Sequence, residues 1–294
     1  MKKHLLLYLL TCFTLTTIAQ AQKAYTLKFN PPDESQYAVA LVSQTKMIQN
    51  IMDQNMDMNM DYNLNSTYSI ATEGSNKKLT LVYDKFDMNM QIMGQQVKMS
   101  SEDTDTTNEA SAAFRALKGQ SMSLLMNEYG KVLRIEGAEE MLNKMGGAGQ
   151  QQEAIKGVVG EDALKNMIEQ SFGFYPKTPV KAGESWSTEM SLKQPYIIAG
   201  SATYTLVKVE GKKAFIDFTG KLSTDSSASM TSNGIEVNFA IEGTFSGSSE
   251  VDTDTGIPLK SVIQQKMKGN IEAGGQKIPM AVSSDITMTT ARKQ

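Results

Sequence analysis

Apolar and polar residues alternate along most of this chain, and the alternation predicts β-strands. The clearest run has apolar side chains at every second position, with Asp or Asn between them: Met56, Met58, Met60, Tyr62 and Leu64. Successive side chains of a strand point to opposite faces, so this run predicts a strand with one buried face. Residues 37–48 predict the preceding strand and residues 79–92 the following one. Residues 23–29 also alternate and predict a short strand near the N-terminus.

The second half of the chain predicts strands almost throughout. Five segments carry the alternation: residues 186–192, 202–209, 214–222, 235–241 and 245–251. A final hairpin is indicated by apolar residues of one parity on each side of the Gly274-Gly275 turn: Leu259, Ile263, Met267 and Ile271, then Ile278, Met280, Val282, Ile286 and Met288. This half is therefore expected to form an antiparallel meander.

Three segments in the middle of the chain have helical periodicity instead. Residues 161–172 begin with Glu161 and Asp162, which suit the positive N-terminal end of a helix. Their apolar residues form a single stripe: Leu164, Met167, Ile168 and Phe172. Residues 138–145 predict a second helix, and Asn108 is a candidate N-cap for a short third one.

The two halves of the chain share an ordered series of local features, which predicts an internal duplication. The matched segments are, in order, 68–79 with 204–214, 94–97 with 234–237, and 128–134 with 254–260. The alternative is that antiparallel meanders look alike because turn chemistry recurs. A true duplication would give each half a sheet of about five strands.

These elements predict a mainly β fold, built from antiparallel meander sheets in two similar halves. The halves form either a curved half-barrel or a two-sheet sandwich, with a few helices in the middle of the chain. The expected organisation is a signal peptide at residues 1–21, a β-rich first half with Met-rich strands at 22–136, a helical connector at 137–173 and a β-rich second half at 174–294.

The start of the chain has the pattern of a secretory signal peptide. Two lysines precede a short apolar run, and Ala19-Gln20-Ala21 fits the small-x-small cleavage site, so we expect cleavage before Gln22. The alternative is a lipoprotein acylated at Cys12, whose neighbours Thr11 and Phe13 fit a lipobox poorly. We therefore expect an exported protein in the periplasm or at the cell surface. No later segment predicts a transmembrane helix.

Charge limits the partners of the mature chain. The full sequence has a formal net charge of −3, and loss of the two lysines of the signal peptide leaves −5. A net negative chain does not favour nucleic acid or electrostatic docking on anionic lipid. We therefore expect no nucleic-acid partner, while a protein partner cannot be identified from the sequence.

The mature chain lacks the residues on which several catalytic and metal sites depend. The only Cys, Cys12, and the only His, His4, both lie in the signal peptide. This excludes a Ser-His-Asp triad, a Cys nucleophile, and zinc or haem sites built on His or Cys. We expect no catalytic residues, no cofactor and no metal. A carboxylate pair stays possible because Asp and Glu are plentiful, so a glycan hydrolase is one alternative function.

One acidic segment resembles the beginning of a calcium-binding loop. Residues 252–256 read Asp-Thr-Asp-Thr-Gly, but the bidentate Glu that ends such a loop does not follow at the required spacing. A turn between two strands explains the segment more simply.

Methionine is unusually abundant, with twenty in the chain, many of them in the first half. They can be ordinary core residues, the wall of a pocket for an apolar ligand, or soft ligands for Cu(I), although the usual His and Cys partners of a copper site are missing. The pocket interpretation names six candidate ligand-binding residues: Met56, Met58, Met60, Met88, Met90 and Ile92.

Residues 174–186 read Phe-Tyr-Pro-Lys-Thr-Pro-Val-Lys-Ala-Gly-Glu-Ser-Trp. This segment resembles an uncharacterised family of exported, β-rich bacterial envelope proteins that carry a Pro-Val-x-x-Gly-Glu-Ser-Trp sequence after a signal peptide. The resemblance implies export and a β-rich fold, and it implies no activity. A looser, fold-level likeness links meanders with a covering helix to the half-barrels of periplasmic lipoprotein carriers.

Together these features predict an exported, non-enzymatic envelope protein that binds an apolar or lipidic ligand on a Met-rich sheet face. The first alternative is a structural or protein-interaction module with a packed core and no ligand. The second is the carboxylate-dependent glycan hydrolase, which needs two inward carboxylates in a cleft.

Overall fold

The computed structural model describes residues 23–51, 54–145, 160–192, 198–224, 228–232 and 235–294. The predicted signal peptide lies outside these residues. So does the Gly- and Gln-rich stretch that follows the helix predicted at residues 138–145.

The described chain forms one antiparallel sheet of thirteen strands. The strands are β1 (Gln36–Ile51), β2 (Gln54–Glu73), β3 (Asn76–Ile92), β4 (Gln95–Ser100), β5 (Ser121–Met126), β6 (Val132–Glu136), β7 (Ser185–Leu192), β8 (Ile198–Glu210), β9 (Lys213–Thr224), β10 (Ser229–Ser232), β11 (Ile235–Asp252), β12 (Pro258–Ala273) and β13 (Gln276–Arg292). The prediction of a mainly β fold is therefore confirmed. The two halves share a single sheet.

The strand order shows how the halves join. It runs β6-β5-β3-β2-β1-β13-β12-β11-β9-β8-β7, with β4 paired to β3 and β10 paired to β11. The first half thus runs outward from the centre to one edge, and the second half returns from the other edge to the centre. Each half contains a five-strand meander in the corresponding order. Because any antiparallel meander shares this order, the duplication stays a prediction.

The described chain contains three α-helices, of which the last two lie between the edge strands β6 and β7. A single 3-10 turn, Glu109–Ser111, leads into α1 (Ala112–Leu117), and α2 (Ala138–Met145) and α3 (Glu161–Phe172) follow. Asn108 caps the 3-10 turn as predicted, because its side-chain oxygen accepts a hydrogen bond from the amide of Ala110 at 3.1 Å. In the described chain, no helix combines the length and apolar character needed to cross a bilayer.

Helix α3 contacts both edge strands, β6 and β7. Glu169 Oε1 accepts a hydrogen bond from the backbone amide of Val132 at 2.9 Å, which satisfies a donor at the outer edge of β6. Phe172 packs edge-to-face on Phe29, with ring centroids 5.3 Å apart. The apolar stripe of α3 therefore closes one end of the space between the edges.

The N-terminal segment crosses this same end of the sheet, and the strand predicted at residues 23–29 is wrong. Only Tyr25 makes a bridge there, with Val180, at 2.8 and 3.0 Å. Phe29 then donates to the carbonyl of Glu128, and Asn30 to that of Thr255. The alternating side chains are explained by this crossing, because Leu27 and Phe29 face the core while the intervening Lys28 stays in solvent.

The segment that resembles an uncharacterised family anchors the closed end. Trp186 Nε1 donates to the carbonyl of Phe174 at 2.6 Å, and the Trp186 ring stacks on Tyr204 at 5.8 Å. The hydroxyl of Tyr175 donates to the buried carbonyl of Gly256 at 2.5 Å. Burial raises the pKa of Tyr175 well above its ordinary value, so this phenol stays a donor. Trp186 and Tyr175 are thus packing anchors.

Two glycines let aromatic rings fill the inner face of the second half. A Cβ on Gly220 would lie 2.1 Å from the ring of Phe245, and one on Gly247 would lie 2.6 Å from the ring of Phe218. Each ring covers the glycine of the neighbouring strand, since Gly220 pairs with Phe245 and Gly247 with Phe218. The inner face of β9 and β11 is therefore closely packed around these two glycines.

Replacing Tyr175 by Phe should destabilise the fold by about 1–3 kcal/mol, because the buried carbonyl of Gly256 loses its donor. The measurement is urea unfolding followed by circular dichroism. Tyr129→Phe is the control, since Tyr129 is exposed and should change the free energy of unfolding by no more than about 0.5 kcal/mol. Equal effects of the two variants would contradict the anchoring role of Tyr175.

Candidate functional site

The six predicted ligand-binding residues lie on one face of the neighbouring strands β2 and β3. We call this surface the Met-rich face. In the register of β2 with β3, Met60 pairs with Met90 and Met58 with Ile92, while Met88 pairs with Tyr62. Met56 follows on the same face of β2. The alternation in the sequence therefore predicted correctly which side chains share a face.

The Met-rich face is only half-buried. All six side chains have intermediate exposure, and none of them belongs to either hydrophobic core cluster of the described chain. Other methionines do belong to the core, where they are almost fully buried: Met122, Met126 and Met141. Among the described methionines, one set thus lies in the core and another lies on this partly buried face.

A small apolar cluster continues the Met-rich face onto the second half of the sheet. Its buried members are Ile241, Met280 and Val282, with Met47, Phe239, Met267 and Ile271 packed against them. Met47 joins the two parts, because it pairs with Met58 on one side and with Val282 on the other. The apolar surface therefore runs unbroken from β3 to β11.

On β1, β2, β12 and β13, a row of polar side chains lies between this apolar surface and the main core. These residues, called the polar belt, are Ser43, Thr45, Tyr62, Gln265 and Ser284. The hydroxyls of Thr45 and Ser284 are 2.9 Å apart, and Gln265 Nε2 lies 3.2 Å from the sulfur of Met267. Burial raises the pKa of Tyr62, although a side-chain hydrogen bond with Ser43 opposes that shift.

The polar belt lies on the same face as the methionines. Thr45 pairs with Met60 on β2 and with Ser284 on β13, and Ser284 pairs with Gln265 on β12. The candidate list from the sequence missed these residues. The available signal was a pair of hydroxyl residues, Ser43 and Thr45, interrupting the apolar alternation of β1.

The carboxylates around the belt lie on the opposite face of the sheet. Asp57 and Asp61 alternate with the methionines of β2, and Asp285 alternates with the inward residues of β13. The inward positions of this part of the described sheet therefore hold no carboxylate pair of the kind that a glycan hydrolase needs.

The acidic segment at residues 252–256 forms a turn, as predicted. Asp252 Oδ1 accepts hydrogen bonds from the amides of Asp254 and Thr255 at 3.0 and 2.8 Å, and from the hydroxyl of Thr255 at 3.0 Å. Its side chain therefore stabilises the turn between β11 and β12.

Two grooves, of about 770 and 570 Å³, lie along β8, β9, β11 and β12, away from the methionines of β2 and β3. They share four lining residues from neighbouring strands: Ser201, Lys221, Thr244 and Lys266. Their linings are largely Ser, Thr, Lys and Glu, and the larger groove is also bordered by Leu222 and Met267.

The profile of a family of unknown function, DUF6263, matches residues 74–258. This is more than half of the chain, so the chain belongs to that family, and the expectation of an uncharacterised family is confirmed. No curated protein matches the sequence.

A solved structure of lipovitellin shares the overall fold. Lipovitellin, in a structure described as showing lipid–protein interactions, matches with a TM-score of 0.52 at 6% identity, over 89% of this chain and 26% of its own. This chain thus spans about a quarter of lipovitellin. OpdQ of Pseudomonas aeruginosa matches over 88% of this chain and 99% of its own at 7% identity, but its TM-score of 0.25 does not indicate a shared fold.

The half-exposed methionines should react with dilute hydrogen peroxide faster than the core methionines, because oxidation follows solvent access to the sulfur. Peptide mass spectrometry should find sulfoxide at Met58 and Met90 before it appears at Met122 and Met126. Equal protection of all four residues would contradict an accessible Met-rich face.

Proposed function

We propose that this member of the DUF6263 family is an exported, non-enzymatic envelope protein that holds an apolar or lipidic chain against the Met-rich face. The observation that carries the proposal is the continuous apolar surface from β3 to β11, whose Met-rich face is only partly buried. Apolar patches that are large and rimmed by polar residues are typical of binding sites.

Methionine suits the proposed ligand. Its side chain is unbranched and polarisable, so a surface of methionines adapts to flexible apolar molecules without one fixed shape. Met58, Met60 and Met90 are direct cross-strand neighbours of other apolar residues. A chain lying across these strands would therefore meet sulfur and methylene groups throughout.

The shared fold with lipovitellin agrees with a lipidic ligand, because that structure is described by its lipid–protein interactions. The likeness concerns the fold, so the chemistry of the ligand rests on the Met-rich face. Export rests on the predicted signal peptide and on the family resemblance of residues 174–186.

The test is native mass spectrometry of the protein purified from its own envelope, with the extracted lipids identified in parallel. We expect a co-purifying apolar molecule. The double variant Met58→Asp with Met90→Asp should lower its affinity about tenfold or more, because an apolar chain would then bury two carboxylates.

The matched control is Asn59→Asp with Asn89→Asp, which adds the same charge to the same strands on the opposite face. This variant should keep the ligand. A protein that carries no apolar molecule, and takes up no fluorescent fatty acid, would contradict the proposed function and favour a structural module.

A further inference from the structure

The inward face around the polar belt and beyond it carries no charge. In the described chain, the inward positions are apolar or uncharged polar from Ser43 to Ile51 on β1, from Met56 to Tyr62 on β2, and from Met280 to Ser284 on β13. Lys46, Asp57, Asp61 and Asp285 all belong to the opposite face. A charged group placed against this surface would therefore have no ionic partner.

The polar belt offers hydrogen bonds at the inner end of the apolar surface. Ser43 and Ser284 are buried, and the Thr45 and Ser284 hydroxyls share one hydrogen bond between them. A pair of hydroxyls linked in this way keeps one proton and several lone pairs available. The belt can thus donate to a carbonyl, or both donate to and accept from an alcohol.

The dimensions suit one extended chain. From Thr45 to Ile51 the strand β1 runs six residues, which is about 20 Å at 3.3 Å per residue. The Met-rich face lies beside this length of β1 through the pairs of Met60 with Thr45 and Met58 with Met47. A molecule with one polar end at the belt would therefore lie along the methionines.

We propose that the ligand is an uncharged single-chain amphiphile, with a hydroxyl or carbonyl end at the polar belt and its hydrocarbon chain on the Met-rich face. This rests on the proposed function and specifies its ligand class. The belt distinguishes such a molecule from a pure hydrocarbon, and the absence of charge distinguishes it from a fatty acid anion. Burying an unpaired carboxylate costs more than burying a hydroxyl that finds a partner.

The experiment compares three probes that share one chain length: hexadecanol, palmitate and hexadecane. Each is delivered from cyclodextrin to the full mature protein at about pH 8, where a carboxyl group is ionised. Displacement of a neutral fluorescent lipid measures binding. We expect hexadecanol to bind about tenfold or more tightly than palmitate, and also more tightly than hexadecane.

Two variants test which residues cause the preference for hexadecanol. Met60→Lys adds a cation next to Thr45 and should shift the preference about tenfold toward palmitate, while Asn59→Lys adds the same charge on the opposite face and should not. Thr45→Val with Ser284→Ala removes both partners of one hydrogen bond, so the fold should tolerate it. That variant should lose the preference for hexadecanol over hexadecane.

The outcomes separate the two proposals. If palmitate binds as tightly as hexadecanol, or if the Thr45→Val, Ser284→Ala variant keeps its preference for hexadecanol over hexadecane, the neutral-amphiphile assignment is wrong and the proposed function stands. If none of the three probes binds, the proposed function itself is contradicted. Should Met60→Lys fail to fold, the ratio of the affinities for hexadecanol and palmitate, measured with the unmodified protein, decides whether the ligand is a neutral amphiphile.

Discussion

The pairing of β1 with β13 is the interaction on which the rest of the structure depends. It joins the beginning and the end of the described chain at the centre of one sheet, from Tyr37 with Arg292 to Gln49 with Met280. Because of this register, Met47 of the first half lies beside Val282 of the second, and Thr45 lies beside Ser284. Without it, neither the continuous apolar surface nor the polar belt would exist.

The two ends of the sheet differ because chain segments cover only one of them in the described structure. At the closed end, helix α3, the crossing segment with Leu27 and Phe29, and the anchors Tyr175 and Trp186 bury aromatic side chains among the strands. The strands continue beyond this core, past the polar belt. Their inward side chains there keep the alternation of a buried face, and those of the Met-rich face stay only partly buried, which is the basis of the proposed binding role.

Much of the fold could be predicted from local patterns. The periodicity at residues 161–172 matched helix α3, and the alternation at residues 79–92 matched most of β3, because both signals depend on near neighbours. Residues 23–29 gave the same alternation and form no strand, since they cross the end of the sheet instead of pairing along an edge. An alternating pattern therefore indicates that successive side chains point to opposite faces. It does not indicate which segment the backbone pairs with.

The amino-acid sequence by itself determined most of the strands and helices, the lack of His and Cys after residue 12, and the side of each strand on which the methionines lie. These follow from residue type and local period. Only the tertiary structure decided which methionines are covered: Met126 is fully buried under the closed end, while Met58 is half-exposed. It also brought Ser43 and Thr45 together with Ser284, because residues so far apart in the chain meet only through the pairing of β1 with β13.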